Sequence, residues 1–224
     1  MEIEQVTDIS GRTFWVPSND IHINSWKNKK LPFCQHKCLD RFDRWLTQEA
    51  GKTYKINLAL DIGAWCGTWA DTMSKHCEKI ICFEPDPLNF KCLQKNIKSK
   101  KIKCENIALG NYNGSASLTE DNFTQAKRII KEEGNIKMYK IDEYLSKSKI
   151  DLIKIDAEGY ELKILEGAKR KIKDVKFLML EMNSNTSKYG SSNMQVESYV
   201  IHKLGFKMLI KLWPDVVYIR PNAN

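Results

Sequence analysis

From residue 56 onward, apolar runs alternate with amphipathic stretches, and that alternation limits the fold more than any other feature of the chain. "INLALDIG" (56–63) is apolar without a polar residue at every second position. Such a run reads as a strand buried on both faces, the environment of a parallel sheet covered by helices. "EKIICFEP" (78–85), "IKCENIAL" (102–109), "IDLIKIDAEG" (150–159) and "VKFLMLEMN" (175–183) read as further strands. Between them lie helical stretches: "TWADTMSKHC", with Trp69, Met73 and Cys77 on one face; "DPLNFKCLQKNIKSK", with Asp86 as its cap; the start of "KIDEYL"; and "YELKILEGAKRKI". "MQVESYVIHKLG" is a helix stopped at Gly205, and "FKMLIKLW" and "VVYIRP" are close enough for an antiparallel pair. "GNYNGSASLTED" carries turn signals and predicts a short hairpin excursion. The expected architecture is α/β with a mainly parallel sheet and helices on both faces.

The first 55 residues differ: "FWVPSNDIHINSW" precedes an amphipathic helix near "CLDRFDRWLTQEA". Residues 1–55 are expected to form a cap on the same domain, with 56–224 the main α/β domain. At 224 residues the chain can bury a sizeable core. No stretch approaches the ~20 apolar residues of a membrane span, and the acidic, polar start "MEIEQVTDIS" does not resemble a signal peptide. Seven scattered cysteines fit free thiols in a reducing compartment, so a cytoplasmic setting is expected. "CQHKC" offers the zinc-type ligands Cys34, His36 and Cys38 but no second cysteine pair at finger spacing, so it reads as a helix start, and no metal is assigned. The net charge of +8 raises an anionic partner, yet only Arg12, Arg41, Arg44, Arg128, Arg170 and Arg220 are arginines. Lysine clusters such as "KSKKIK" read as solvated faces.

The chemistry concentrates where strands end. Ligands of doubly wound sheets bind beyond those carboxyl ends. Asp61 closes the first strand, and Gly63 and Gly67 follow in "DIGAWCG". Glycines let backbone approach a ligand, and the next helix N-terminus attracts an anion. The acid would repel a pyrophosphate, but the set suits a ligand with both an ammonium and a carboxylate, such as the amino-acid end of S-adenosylmethionine (SAM). Asp61 would accept from the ammonium, and Gly63, Ala64 and Gly67 would supply close backbone. Glu84, 21 residues after Gly63, ends the second strand where an acid grips ribose hydroxyls, with Pro85 stiffening the turn. Asn106, Ile107 and Ala108 close the third strand, where an adenine would rest. The fourth strand brings Lys154, Asp156 and Glu158 together, with Glu161 as a helix cap. Charges around a buried strand are costly unless paired or functional.

"ALDIGAWCGTWA", "FEPDPLNFKCLQKNI", "NIALGNYNG" and "IDLIKIDAEGYELKILEGA" together resemble the FkbM family of class I SAM-dependent methyltransferases, over roughly residues 56–183. The fourth motif is the most specific, as Lys154, Asp156, Glu158, Gly159 and Glu161. The first departs: Trp65 and Cys66 stand where the family often has small, polar or aliphatic residues. The resemblance implies a Rossmann-like, seven-stranded sheet with an antiparallel last strand, SAM as cofactor, and O-methylation of a sugar or other small hydroxylated acceptor, a saccharide or glycoconjugate. Asp156 is then the candidate base, also touching cofactor, with Glu158 assisting and Lys154 orienting the carboxylates. An RNA 2′-hydroxyl methyltransferase and a non-catalytic SAM-binding module are the alternatives. Acceptor selection is expected from the N-terminal cap and from residues 111–135.

Overall fold

The computed structural model describes residues 2–18, 23–28, 36–49, 54–119 and 127–221. The strands are β1 (Ile3–Thr7), β2 (Thr13–Pro17), β3 (Ile56–Ile62), β4 (Cys77–Phe83), β5 (Ile102–Glu105), β6 (Ala108–Leu109), β7 (Gly114–Leu118), β8 (Ile129–Tyr139), β9 (Leu152–Ile155), β10 (Phe177–Glu181), β11 (Lys207–Leu212) and β12 (Asp215–Ile219). The helices are α1 (Ile23–Lys27), α2 (His36–Arg44), α3 (Thr68–Met73), α4 (Pro87–Asn96), α5 (Ile141–Tyr144), α6 (Glu161–Glu166) and α7 (Asn193–Ser198).

The main sheet has seven strands in the order β11-β12-β10-β9-β3-β4-β5. β5, β4, β3, β9 and β10 run parallel, and β12 is antiparallel to both β10 and β11. This is the class I methyltransferase arrangement, with its antiparallel last strand. Burial explains the unbroken apolar runs. One face presents Leu60, Ile62, Ile153, Ile155, Leu178 and Leu180 to α5, α6 and α7. The other presents Ala59, Ile80, Leu152, Phe177 and Met179 to Phe42 of α2, Trp69 and Met73 of α3, and Leu93 of α4. A strand with helices on both sides buries both its faces, so polar residues there need partners.

Local signals set the element ends. Asp86 caps α4, its side chain accepting from the Leu88 and Asn89 N–H groups. α7 begins with a capping box of Ser192 and Gln195 and continues as a π-helical turn over Tyr199–Lys203. Gly205 then takes φ +75°. α3 is shorter than the periodicity suggests: it ends at Met73, and Cys77 opens β4 instead of extending the helical face. β5 also stops earlier than expected, at Glu105; Asn106 and Ile107 link it to Ala108, which begins β6 in a second sheet. That three-stranded sheet, β6-β8-β7, contains the expected hairpin excursion, β7 antiparallel to β8.

In the N-terminal segment, β1 and β2 form an antiparallel hairpin that composition did not signal. Cys34 and His22 lie outside the described residues, as do residues 120–126 of the excursion. Cys38 is buried on α2, and burial pushes its thiol up to about 12. No helix among the described residues is long and apolar enough to cross a membrane.

Candidate functional site

An open cavity lies beyond the carboxyl ends of β3, β4, β9 and β10. Its floor is the turn after β3. Gly63 takes φ +73°, and a Cβ there would run into the Asp156 carbonyl oxygen, so only glycine fits. The Gly63 and Ala64 N–H groups donate to the Phe83 carbonyl at 3.0 and 3.1 Å, which ties the turn to β4. Trp65 takes φ +46° and Glu158 φ +52°, the two non-glycine residues with left-handed backbone among those described, and both line the cavity. Such conformations cost of order 1–3 kcal/mol each and collect at functional sites.

The register of the sheet builds the charged group. Asp61 on β3 stands directly opposite Lys154 on β9, so the two side chains share a face. The Lys154 ammonium lies 3.2 Å from Asp61 Oδ1 and 3.4 Å from Asp156 Oδ2, and donates to the Gly63 carbonyl at 3.1 Å. Its three donors therefore join β3, the end of β9 and the glycine turn. Burial works against the Lys154 charge, but Asp61 and Asp156 outweigh it and hold the ammonium above its ordinary range. Asp61 is fully buried, and burial raises its carboxyl despite Lys154.

Asp156 retains 19% side-chain exposure and faces the cavity. One carboxylate oxygen each from Asp156, Glu158 and Glu181 lie within 4.8 Å of one another, a donor set that could also hold a divalent cation. Glu158 Oε2 accepts from Asn185 Nδ2 at 2.8 Å and Asn183 Nδ2 at 3.0 Å, and Asn183 Nδ2 also reaches Glu181 Oε2 at 2.8 Å. Burial, then Asp156, pushes Glu158 up to about 7; Asp156, then burial, pushes Glu181 up to about 10. Glu161 Oε1 accepts from the Ala157 and Gly159 N–H groups, pinning the turn between β9 and α6.

At the opposite wall, Glu84 Oε2 accepts from the Trp65 N–H at 2.8 Å and Oε1 from the Asp86 N–H at 2.9 Å. Burial pushes Glu84 up to about 7, against those N–H groups. Asn106 supports this turn from outside, donating to the Glu84 and Pro85 carbonyls at 2.8 and 3.1 Å.

Of the residues singled out in the sequence, Gly63, Ala64, Glu84, Pro85, Ile107, Ala108, Lys154, Asp156 and Glu158 line the cavity. Asp61, Gly67 and Asn106 do not: Asp61 sits behind Lys154, Gly67 caps α3 and Asn106 buttresses Glu84. The wall also includes Tyr160 and Glu181, with Leu118, Lys127 and Ile129 from the β7–β8 excursion. Glu181 carries the same signature as Asp61 and Glu84, an acid at the end of a buried apolar strand, and was legible on that ground. Lys127 was not, because its position follows from an ion pair with Asp86 at 2.7 Å. None of the described residues of the N-terminal segment lines the cavity.

The family model for the methyltransferase FkbM domain matches residues 61–208, well over half the chain. No curated protein matches. Among solved structures, the chain is similar to the methyltransferase FkbM from Methylobacillus flagellatus KT, with TM-score 0.53 and 17% identity, covering 78% of this chain and 47% of that one. The chain thus spans about half the length of that relative. It is also similar to the N-methyltransferase NodS from Bradyrhizobium japonicum WM9, solved with S-adenosylhomocysteine (SAH), with TM-score 0.53 and 11% identity, covering 88% and 92% of the two chains. At these identities the structural likenesses establish the fold, and the domain match establishes the kinship. The strand order, the glycine turn and the family match agree: the chain belongs to the FkbM family of SAM-dependent methyltransferases.

Proposed function

We propose that the protein transfers a methyl group from SAM to a hydroxyl of a small polyhydroxylated acceptor, such as a saccharide or glycoconjugate, with Asp156 as general base. One observation carries this reading: Asp156, a partly exposed carboxylate, sits at the meeting point of the glycine turn and the Glu158–Glu181 wall, with its Oδ2 3.4 Å from the Lys154 ammonium. The residues present fit the cofactor. Gly63 and Ala64 line the cavity with backbone, the Gly63 turn being seated against the Asp156 carbonyl, and this suits close approach of a ligand on the cavity side. The Glu84 carboxylate has lone pairs beyond those used by Trp65 and Asp86, and these suit ribose hydroxyls. Gly63 and Ala64 would line the methionine end, with Asp61 acting through Lys154 and Gly67 shaping the turn. Pro85, Ile107 and Ala108 would line the adenosine end, with Asn106 supporting Glu84.

When bound, SAM supplies an electrophilic methyl on a sulfonium leaving group. The protein's task is to orient an acceptor and remove its proton. Asp156 would take the proton. Glu158, fixed by Asn183 and Asn185, would accept from a neighbouring hydroxyl. The scattered thiols support a reducing, cytoplasmic setting. A second reading, an RNA 2′-hydroxyl acceptor, draws on the +8 net charge.

A panel of saccharides and hydroxylated natural products, incubated with methyl-labelled SAM, tests the proposal. O-methyl products are expected. Asp156→Asn should then lower kcat by about 10²–10⁴ while SAM still binds within a few-fold. A well-folded Asp156→Asn enzyme with near-normal turnover would remove Asp156 from the role of base.

A further inference from the structure

The N-terminal hairpin contributes nothing to the cavity wall, yet it grips the glycine turn from behind. Val6, Phe14, Val16 and Ile23 form a small apolar cluster with Cys66 of the turn and Cys92 of α4, and Trp65 packs against it. Cys66 is fully buried there. The amide of Asn96, the last residue of α4, locks the arrangement. Its Oδ1 accepts from the Trp15 N–H at 2.7 Å; its Nδ2 donates to the Trp15 carbonyl at 2.8 Å and to the Cys66 carbonyl at 2.9 Å. One side chain thus joins hairpin, helix and turn. At the hairpin's bend, Asp8 accepts from the Ser10 and Arg12 N–H groups, and Arg12 reaches Thr72 of α3 at 3.4 Å. On its other side the turn is held by the Trp65 N–H to Glu84.

We infer that the hairpin is a strap that fixes the glycine turn for cofactor binding, with Asn96 as the positioning residue. The inference rests on the cavity being the SAM site. Gly63, Trp65 and Gly67 have φ of +73°, +46° and +88°, so three positions in five residues hold left-handed backbone. Such a turn keeps one shape only when its surroundings over-determine it. α3, at six residues, is a short clamp on the downstream side, and the strap supplies the rest. This also accounts for the two residues that depart from the family pattern. Cys66 replaces a small or polar side chain with one that buries into the strap's cluster, and Trp65 spans from that cluster to the cavity. Because the Trp65 N–H also holds Glu84, a shift of the turn would reach the acid at the end of β4 as well.

Asn96→Asp keeps the acceptor for Trp15 and loses both donors, placing an anionic oxygen against two carbonyls. Phe14→Leu loosens the strap's cluster without changing a residue of the turn. In the full-length chain, calorimetric titration with SAH should give a Kd raised about tenfold for Asn96→Asp, the scale of losing hydrogen bonds, and by a smaller factor for Phe14→Leu. Hydrogen exchange of the peptide spanning residues 62–70 should quicken in both. A purely structural role would lower the unfolding temperature and leave Kd and turn exchange at wild-type values; that result overturns the inference. If Asn96→Asp does not fold, Phe14→Leu decides by the same two measurements. If the wild type takes up no SAH, the cofactor reading fails, and the strap stands or falls on turn exchange alone.

Discussion

Replacing Lys154 by methionine removes the cation that Asp61 and Asp156 share while keeping most of the side chain's volume. The ammonium is 4% exposed and Asp61 is 0% exposed, so water cannot take over the lost pairing. Breaking a buried pair by deleting one partner costs about 3–5 kcal/mol, since it leaves an uncompensated charge. Asp61 can limit that cost by taking up a proton, because burial already raises its carboxyl and loss of Lys154 raises it further. The sign follows by linkage. An acid whose pKa is raised in the folded state is ionised first in the unfolded chain, so stability is fullest below the unfolded value and declines as pH rises toward the folded one. Urea unfolding of Lys154→Met should therefore show a loss of about 3–5 kcal/mol at pH 8 and a clearly smaller loss at pH 5. Asp61→Asn combined with Lys154→Met should recover much of it, as expected when a buried charge is removed with its partner. A Lys154→Met protein within about 1 kcal/mol of wild type at pH 8, against the 3–5 expected, would refute the reasoning. So would a loss that does not change with pH.

Burial pushes Glu84, Glu158, Glu161 and Asp215 each up to about 7, so the folded state holds protons that the unfolded chain releases at lower pH. The unfolding temperature should accordingly fall between pH 5 and pH 8, and a rise over that window would count against these burials. SAH affinity should increase as pH rises through about 7, where the Glu84 carboxylate ionises, and Glu84→Gln should flatten that dependence in calorimetry at pH 6 and 8. Changing Lys98, Lys100 and Lys101 to serine should leave turnover on a small acceptor near wild type at moderate salt. A large, salt-sensitive loss would instead favour a nucleic-acid acceptor.

Much of the fold can be read in the sequence because burial on both faces of a parallel sheet leaves few options. Runs such as those ending at Asp61, Glu84 and Asp156 announce both the strand and the point where chemistry can begin. What was illegible came from contacts across long separations. Asp61 looks like a ligand-facing acid, but the β3–β9 register places it opposite Lys154 and behind the wall. Asn106 looks like part of a strand; it lies instead between β5 and β6, and its side chain supports Glu84. The hairpin over residues 3–17 has little local signature, since its apolar face is specified by Cys66 and Cys92, far along the chain. Trp65 and Cys66 read as departures from a pattern until that hairpin is seen against them.

The central claim is that the cavity beyond β3, β4 and β9 holds SAM between the Gly63 turn and Glu84. Calorimetric titration of the intact protein with SAH, alongside Glu84→Ala and Gly63→Val, tests it most directly. The account predicts one site per chain in the wild type, a weakening of about 1–3 kcal/mol for Glu84→Ala, and no measurable binding for Gly63→Val, whose branched side chain would meet the Asp156 backbone. A wild type that takes up no SAH, or two folded variants that bind it as the wild type does, would contradict the account.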